Sequence, residues 1–235
     1  MASELQKLDE QRKIMIADIA HELRTPMTNL KGYIEGWSDG IIKPDNETLK
    51  ILDYQVNTLS KIIDDLSTLS LAESGMLNLN ISEFDLNYKI SEIINNFKLR
   101  SKSKNINIIN NINSNITINY DSQRFTQIIT NILNNSILAI EDGGEISFDT
   151  SIKKKDLMLE IKDNGMGISK EELPYIFDRF YRADKSRNRQ SGGSGLGLSI
   201  VKYLIESHNG TIKIKSEFSK GTQVLISIKK FNTNL

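Results

Sequence analysis

Cysteine is absent from the 235 residues, so no disulfide can staple the fold, and a reducing, cytosolic compartment is the simpler expectation. No apolar run approaches the roughly 20 residues that span a bilayer. The opening MASELQKLDEQRK also lacks a signal-peptide core, so the chain as given is expected to be soluble. Net charge is missing too: 30 Lys and Arg stand against 30 Asp and Glu with no basic block, which argues against nucleic acid as the main partner. Histidine is scarce, with two in the whole chain, and each therefore carries weight. Asparagine is abundant, as in NINIINNINSNITIN, and reads as a compositional bias without functional weight.

What is present falls into two regions of different period. Ile16, Ile19, Leu23, Met27, Leu30, Ile34 and Trp37 recur at spacings of three and four, the signature of a helix with one buried stripe. Asp39-Gly40 and Pro44-Asp45 interrupt it, and Leu49, Leu52, Val56, Leu59, Ile63 and Leu66 form a second stripe. Residues 1–74 thus read as a helical hairpin. Two such helices bury too little alone, so pairing with a second copy into a four-helix bundle is expected, with packing on the C-terminal region of the same chain as the alternative. Past Ser74-Gly75 the spacing predicts helices over 86–99 and 125–140 and strands through Ile146/Phe148 and Leu157/Leu159/Ile161. A helix over 197–207 and a hairpin of Ile212/Ile214 with Val224/Ile226/Ile228 follow. The expected class is α+β: a helical hairpin in a dimeric four-helix bundle, then an α/β sandwich over 75–235.

The segment AHELRTP, residues 20–26, sits inside the first helix. With Ile16, Leu23, Leu30 and Trp37 at heptad position a, His21 falls at f and Thr25 at c, so both share an outward face. An exposed imidazole is largely neutral near physiological pH and has a nitrogen free to attack. The adjacent Glu22 can take or orient the proton on the other nitrogen. Pro26 removes a backbone donor and frees the Glu22 carbonyl, so a bend is expected one turn past His21. By itself, an exposed helical histidine is most often a surface residue.

Three further pieces suit a nucleotide. Asp163-Asn164-Gly165-Met166-Gly167-Ile168 follows a strand, and such a turn brings backbone close to a flat ligand while its carboxylate accepts from an exocyclic amine; alone it is also an ordinary strand exit. SGGSGLGL, residues 191–198, opens a helix where bare amides favour phosphates. No strand runs into it, so it is not a dinucleotide fingerprint, and no GxxxxGK[ST] loop occurs. Asn131 and Asn135, four apart on one helix, could hold Mg²⁺ or simply face solvent.

Taken in order, these motifs resemble the catalytic core of bacterial sensor histidine kinases over nearly all of residues 10–230. AHELRTP is similar to the family's phosphoacceptor box, QIITNILNNSI to its Asn box, and DNGMGI to the first Gly box. IFDRFYRADKSR is similar to the Phe box and lid, GGSGLGL to the second Gly box, and Gly221-Thr222 to the last. The fold this implies is a dimerisation and phosphotransfer hairpin joined to an ATP-binding domain of the gyrase and chaperone class.

The resemblance implies that His21 attacks the γ-phosphate of ATP with Glu22 as general base, and that Asn135 and Asn131 hold Mg²⁺. It gives adenine recognition to Asp163, room for the base to Gly165 and Gly167, and hinge and phosphate contacts to Gly193, Gly195 and Gly197. Ile168, Leu196, Leu198 and Thr222 complete the implied ATP contacts. Arg182, Lys185 and Arg187 become candidate clamps on the transferring group, and Phe177 and Phe180 anchors of the lid. Thr25 matches a position that orients water to dephosphorylate a partner. The implied partners are a second copy of the chain and a response-regulator receiver domain, with membrane attachment only through segments upstream of this chain, a cytoplasmic fragment of a longer receptor. One departure stands out: Leu138 and Ala139 occupy positions where the family often has Lys and an aromatic residue. Less cation at the phosphates is expected to slow autophosphorylation. That gap keeps a nucleotide-binding signalling scaffold open as an alternative, beside a conformational ATPase.

Overall fold

The computed structural model describes residues 2–112, 116–153, 156–182 and 194–233. Helix α1 runs from Ala2 to Ser38. Pro26 lies buried inside it, so the missing donor costs one hydrogen bond without ending the helix. Helix α2, Asn46–Glu73, begins at a capping box. The Asp45 carboxylate accepts from the Glu47 and Thr48 amides at 3.1 and 2.8 Å, and the Thr48 hydroxyl accepts from the Asp45 amide at 3.0 Å. It ends in a Schellman turn: Gly75, at φ +67°, donates to the Ala72 carbonyl and Met76 to that of Leu71. Along the antiparallel pair, Ile16, Met27, Ile34, Leu49, Val56 and Ile63 each stay at least half exposed. No helix among the described residues is long and apolar enough to cross a membrane.

The remainder is a two-layer α/β unit. Strand β1 (Ile81–Asp85) leads into α3 (Leu86–Asn96) and the short α4 (Lys98–Lys102). The single helix expected over 86–99 is therefore broken at Phe97, whose amide closes the turn on Ile94. Strands β2 (Ile106–Asn110) and β3 (Ile116–Asp121) precede α5 (Ser122–Ala139), and β4 (Gly144–Lys153) and β5 (Asp156–Asp163) follow it. A 3₁₀ turn, Leu173–Tyr175, leads towards α6 (Gly197–Ser207), β6 (Thr211–Glu217), β7 (Gly221–Ile228) and β8 (Phe231–Thr233). The main sheet has the order β2-β4-β5-β7-β6, antiparallel except for β2 with β4, and β1-β3-β8 forms a small second sheet. The asparagine-rich run is thus more than composition: it holds β2 and β3, with Ile106, Ile116 and Ile118 turned into the core.

One face of the main sheet presents Ile146, Phe148, Leu157, Leu159, Ile161, Val224, Ile226 and Ile228, each at most 4% exposed, to the apolar faces of α3, α5 and α6. The period-2 pattern of the strands and the 3.6-residue pattern of the helices meet there. Burying one such side chain contributes about 1.5–3 kcal/mol, so this layer dominates stability.

The second histidine joins the end of α6 to the small sheet. The His208 ring stacks on Tyr120 at 3.6 Å, meets the Leu204 carbonyl through Nδ1 at 2.7 Å and accepts the Asp121 amide on Nε2 at 3.2 Å. Because Nε2 accepts, Nδ1 carries the proton, and burial holds this imidazole below its ordinary pKa. Asp121 also caps α5, accepting from the Gln123 and Arg124 amides at 3.0 Å.

Helix α2 docks on this unit through Ile62, Asp65, Thr68, Leu69 and Ala72, all buried and three or four residues apart. The Tyr203 hydroxyl donates to the Ala72 carbonyl, Arg124 lies 3.5 Å from the Thr68 hydroxyl, and Leu69 joins the main core. Asp65 is the misfit on this face: its Oδ2 has no partner. Burial pushes its carboxyl up to about 6, with Lys61 partly offsetting and Asp64 adding to the rise. The folded state therefore binds the extra proton between the ordinary value of 3.8 and about 6, and stability from this group grows as pH falls through that window. Asp65→Asn is expected to raise the urea midpoint at pH 7.5, with the gain shrinking through pH 6 and vanishing near 4. A difference constant from pH 4 to 8 would show that the carboxyl titrates normally.

Candidate functional site

Strand β5 ends on Asp163, a carboxylate that is 4% exposed. Its Oδ1 accepts from the amides of Gly165 at 3.0 Å and Thr222 at 3.2 Å, and its Oδ2 from the Ser136 hydroxyl at 2.9 Å. Burial pushes the carboxyl above its usual value, and the bonds from Gly165, Ser136 and Thr222 pull it back. The result is a fixed acceptor with capacity left for an exocyclic amine. Around it, backbone runs against backbone. A Cβ on Gly167, at φ +69°, would lie 2.1 Å from the Glu217 carbonyl oxygen, and one on Gly221, at φ +99°, 2.0 Å from that of Asp163. Only glycine fits either position. Gly165 is packed on the end of α5, where the Met166 amide donates to the Ala139 carbonyl at 2.9 Å. The Ile168 amide donates to Ser216 Oγ at 2.8 Å, and that hydroxyl also reaches the Gly221 carbonyl and Thr222 Oγ1. Ser216 thereby ties the Asp163–Ile168 turn to the β6–β7 hairpin.

Asn131 and Asn135 differ more than their shared spacing suggests. Asn131 is 5% exposed, with Nδ2 unpartnered, and its Oδ1 lies 3.7 Å from where a Cβ on Gly197 would be; Asn135 is exposed. The first therefore faces the opening turn of α6, and the second stands one turn further on at the surface. Among the described residues no three His, Cys, Asp or Glu side chains gather as a metal site. Two neutral amide oxygens are too few to hold Mg²⁺ alone, yet they fit an ion whose other ligands arrive with a phosphate.

Ahead of α6, Gly195 takes φ +71° against the Phe180 backbone, and its carbonyl accepts the Phe180 amide at 3.1 Å. Leu196 is fully buried in the core. Its side chain anchors this loop. Leu198 is half-buried. Phe180 packs on the core, and the Lys202 ammonium lies 5.5 Å over the Phe177 ring. Arg182 is half-buried, whereas Lys185, Arg187 and Gly193 lie outside the described residues. On the hairpin, His21 and Thr25 are exposed and Glu22 is half-buried. The Thr25 hydroxyl donates to the His21 carbonyl at 3.4 Å, and Arg179 Nη1 lies 3.0 Å from Met15 Sδ, less than two turns before His21.

Ser136 and Ser216 are the residues that sequence reasoning missed. A single serine in an apolar helix and another in an alternating strand carry no local signal; only their tertiary partners reveal them.

Two family profiles match the chain. One, the His Kinase A (phospho-acceptor) domain, covers residues 11–75. The other, described as histidine kinase-, DNA gyrase B-, and HSP90-like ATPase, covers 120–232. The signal transduction histidine-protein kinase BaeS of Escherichia coli K12 is 37% identical over 212 residues, 90% of this chain and 45% of that protein. The sensor histidine kinase WalK of Bacillus subtilis 168 is 31% identical over 234 residues, 96% of this chain and 38% of that protein. The chain thus spans less than half the length of these curated relatives. Among solved structures, the Acinetobacter baumannii histidine kinase AdeS superposes with TM-score 0.76 at 31% identity, covering 88% of this chain and 96% of that one. ThkA, solved in complex with the response regulator protein TrrA, shares the fold with TM-score 0.71 at 24% identity, covering 97% of this chain and 67% of that one.

The close approach at Gly167 yields a direct check. Gly167→Ala forces the turn away from Glu217, and ADP affinity measured by calorimetry is expected to fall at least about tenfold, the cost of displacing strained backbone in a left-handed position. Unchanged affinity would separate this turn from nucleotide binding.

Proposed function

Because this chain belongs to the sensor histidine kinases, we propose that it transfers the γ-phosphoryl group of ATP to His21 and then to an aspartate of a response regulator. The observation that carries the reading is the placement of His21. It stands exposed on α1, while the segment carrying Arg179 touches the same helix at Met15, about 9 Å away along the axis. A nucleotide seated against Asp163 belongs to a unit docked on α2 and touching, at Met15, the helix that bears the imidazole.

In this reading residues 1–74 form the phosphoacceptor and dimerisation unit and residues 75–235 the ATP-binding unit. Asp163 accepts the exocyclic amine of adenine, with Thr222 and Ile168 beside it and Gly165 and Gly167 making room for the ring. The amides at Gly195, Gly197 and Leu198 lie at the start of α6, where anions are favoured. Asn135 and Asn131 hold Mg²⁺, which neutralises phosphate charge when bound; a phosphate oxygen would also satisfy the buried, unpartnered Asn131 Nδ2. The neutral His21 ring attacks phosphorus, the bond to the β-phosphate oxygen breaks, and ADP leaves. Glu22 orients or takes the proton on the other ring nitrogen. Arg182, Lys185 and Arg187 supply lid cations, and with Leu138 in place of a lysine more of the neutralisation falls to them and to the ion. Thr25 orients water for dephosphorylation of the regulator, the partner class with which ThkA was solved.

Incubation with γ-labelled ATP and Mg²⁺ is expected to give an acid-labile, alkali-stable label that His21→Ala abolishes and Asp163→Asn lowers at least about tenfold. Nucleotide binding without label would instead favour the signalling scaffold, and phosphate release indifferent to His21→Ala a conformational ATPase.

The exposed stripe from Ile16 to Ile63 supports a homodimer, since a contiguous apolar face on a helical hairpin is stable in water only when covered. Leu23, Met27, Leu30, Ile34, Leu59 and Ile63 line an open groove between the two helices that a second hairpin would fill. Ile63→Lys places a charge there, and sedimentation should show the dimer dissociating at concentrations at least about tenfold higher than for the parent chain. An unchanged monomer–dimer equilibrium would remove this face from the interface.

A further inference from the structure

We propose that Ser136 is a positioning residue for nucleotide recognition: its hydroxyl sets the direction of Asp163 Oδ2 and so makes the site selective for purines bearing a 6-amino group. The inference rests on the reading of Asp163 as the adenine acceptor and adds a residue to it.

Serine and threonine inside a helix ordinarily turn the hydroxyl back to the carbonyl one turn earlier. Thr25, Thr58, Thr126 and Ser207 do so here, donating to the carbonyls of His21, Tyr54, Ser122 and Tyr203 at 3.4, 2.8, 2.8 and 2.9 Å. Ser136 does not. Its hydroxyl leaves α5 and donates to Asp163 Oδ2 at 2.9 Å, across 27 positions of sequence. Both residues are 4% exposed, so water does not compete for the bond.

The division of labour on the carboxylate explains why this bond matters. Oδ1 takes two amides, from Gly165 and Thr222. Those two bonds anchor one oxygen and leave the carboxylate plane loosely set, because rotation about its terminal torsion has broad minima. The bond from Ser136 supplies a third point on the second oxygen and fixes the plane. It also uses one lone pair of Oδ2 and leaves the other for a donor from the ligand. A base with an amine there gains a bond of set direction, and one with a hydrogen gains nothing from it. Ser136 thus sharpens discrimination rather than overall grip.

Calorimetric titration with Mg²⁺-ADP and with the diphosphate of purine riboside, which lacks the 6-amino group, tests this. Ser136→Ala is expected to weaken ADP about fivefold to twentyfold, at and below the lower end of what one hydrogen bond to a charged group is worth because the bond acts only through Asp163, and the amine-free analogue less than about twofold. In the Asp163→Asn background the same change should leave ADP affinity within about twofold. Equal losses for both nucleotides would assign Ser136 to helix packing and overturn the proposal, as would an ADP affinity indifferent to Ser136→Ala in a chain that binds ADP normally. If the unaltered chain bound ADP and the analogue equally, the adenine reading of Asp163 would fall, and this proposal with it.

Discussion

Everything at the site depends on how closely three backbone segments approach one another: the end of β5, the turn after it, and the β6–β7 hairpin. Gly167 lies against Glu217 and Gly221 against Asp163 at separations that no side chain tolerates, and the Thr222 amide closes the contact by donating into the Asp163 carboxylate. Such proximity costs conformational freedom at both glycines, and it is sustained because β5 and β7 are paired on both sides and their inner faces are buried. The carboxylate can remain in a desolvated place only because three donors converge on it. If the strand pairing loosened, the donors, the acceptor and the space beside them would be lost together.

The hairpin is bound to this unit by a small, mixed contact. Leu69 enters the apolar core, Tyr203 caps a carbonyl in the last turn of α2, and Arg124 approaches Thr68. Against these stands the unpartnered oxygen of Asp65. A joint with a few buried apolar side chains, few polar bonds and one carboxylate oxygen left without a hydrogen bond is firm enough to define a geometry and weak enough to change it. By contrast, the α/β unit has a continuous apolar core, in which Asn131 Nδ2 is the one buried polar side-chain atom without a partner among the described residues.

Much of this was readable beforehand where periods are strong. The stripes of α1 and α2, the apolar faces of α5 and α6, and the alternation in β4, β5, β6 and β7 each arise from local repetition that burial then uses. The small sheet was not readable, because its strands pair across long separations, Ile81 with Asp121 and Ile116 with Thr233, and because asparagine alternating with isoleucine resembles biased composition. Phe97 broke a helix that its apolar neighbours would have continued. At the site, the glycines and Asp163 announce themselves by type and spacing. Leu196 belonged to the same motif yet went to the core, since a motif fixes the chain path without saying which side chains line it. Ser136 and Ser216 act only through partners that folding brings to them.

The second histidine has a consequence for stoichiometry. His208 has one ring nitrogen turned to the Leu204 carbonyl and the other closed by the Asp121 amide, with Tyr120 lying flat on its face. Of the two imidazoles in the chain, only that of His21 offers a lone pair to solvent. Any electrophile selective for imidazole, a phosphoryl donor or an acylating reagent alike, therefore meets one address per chain, and the count of modified rings is a count of molecules.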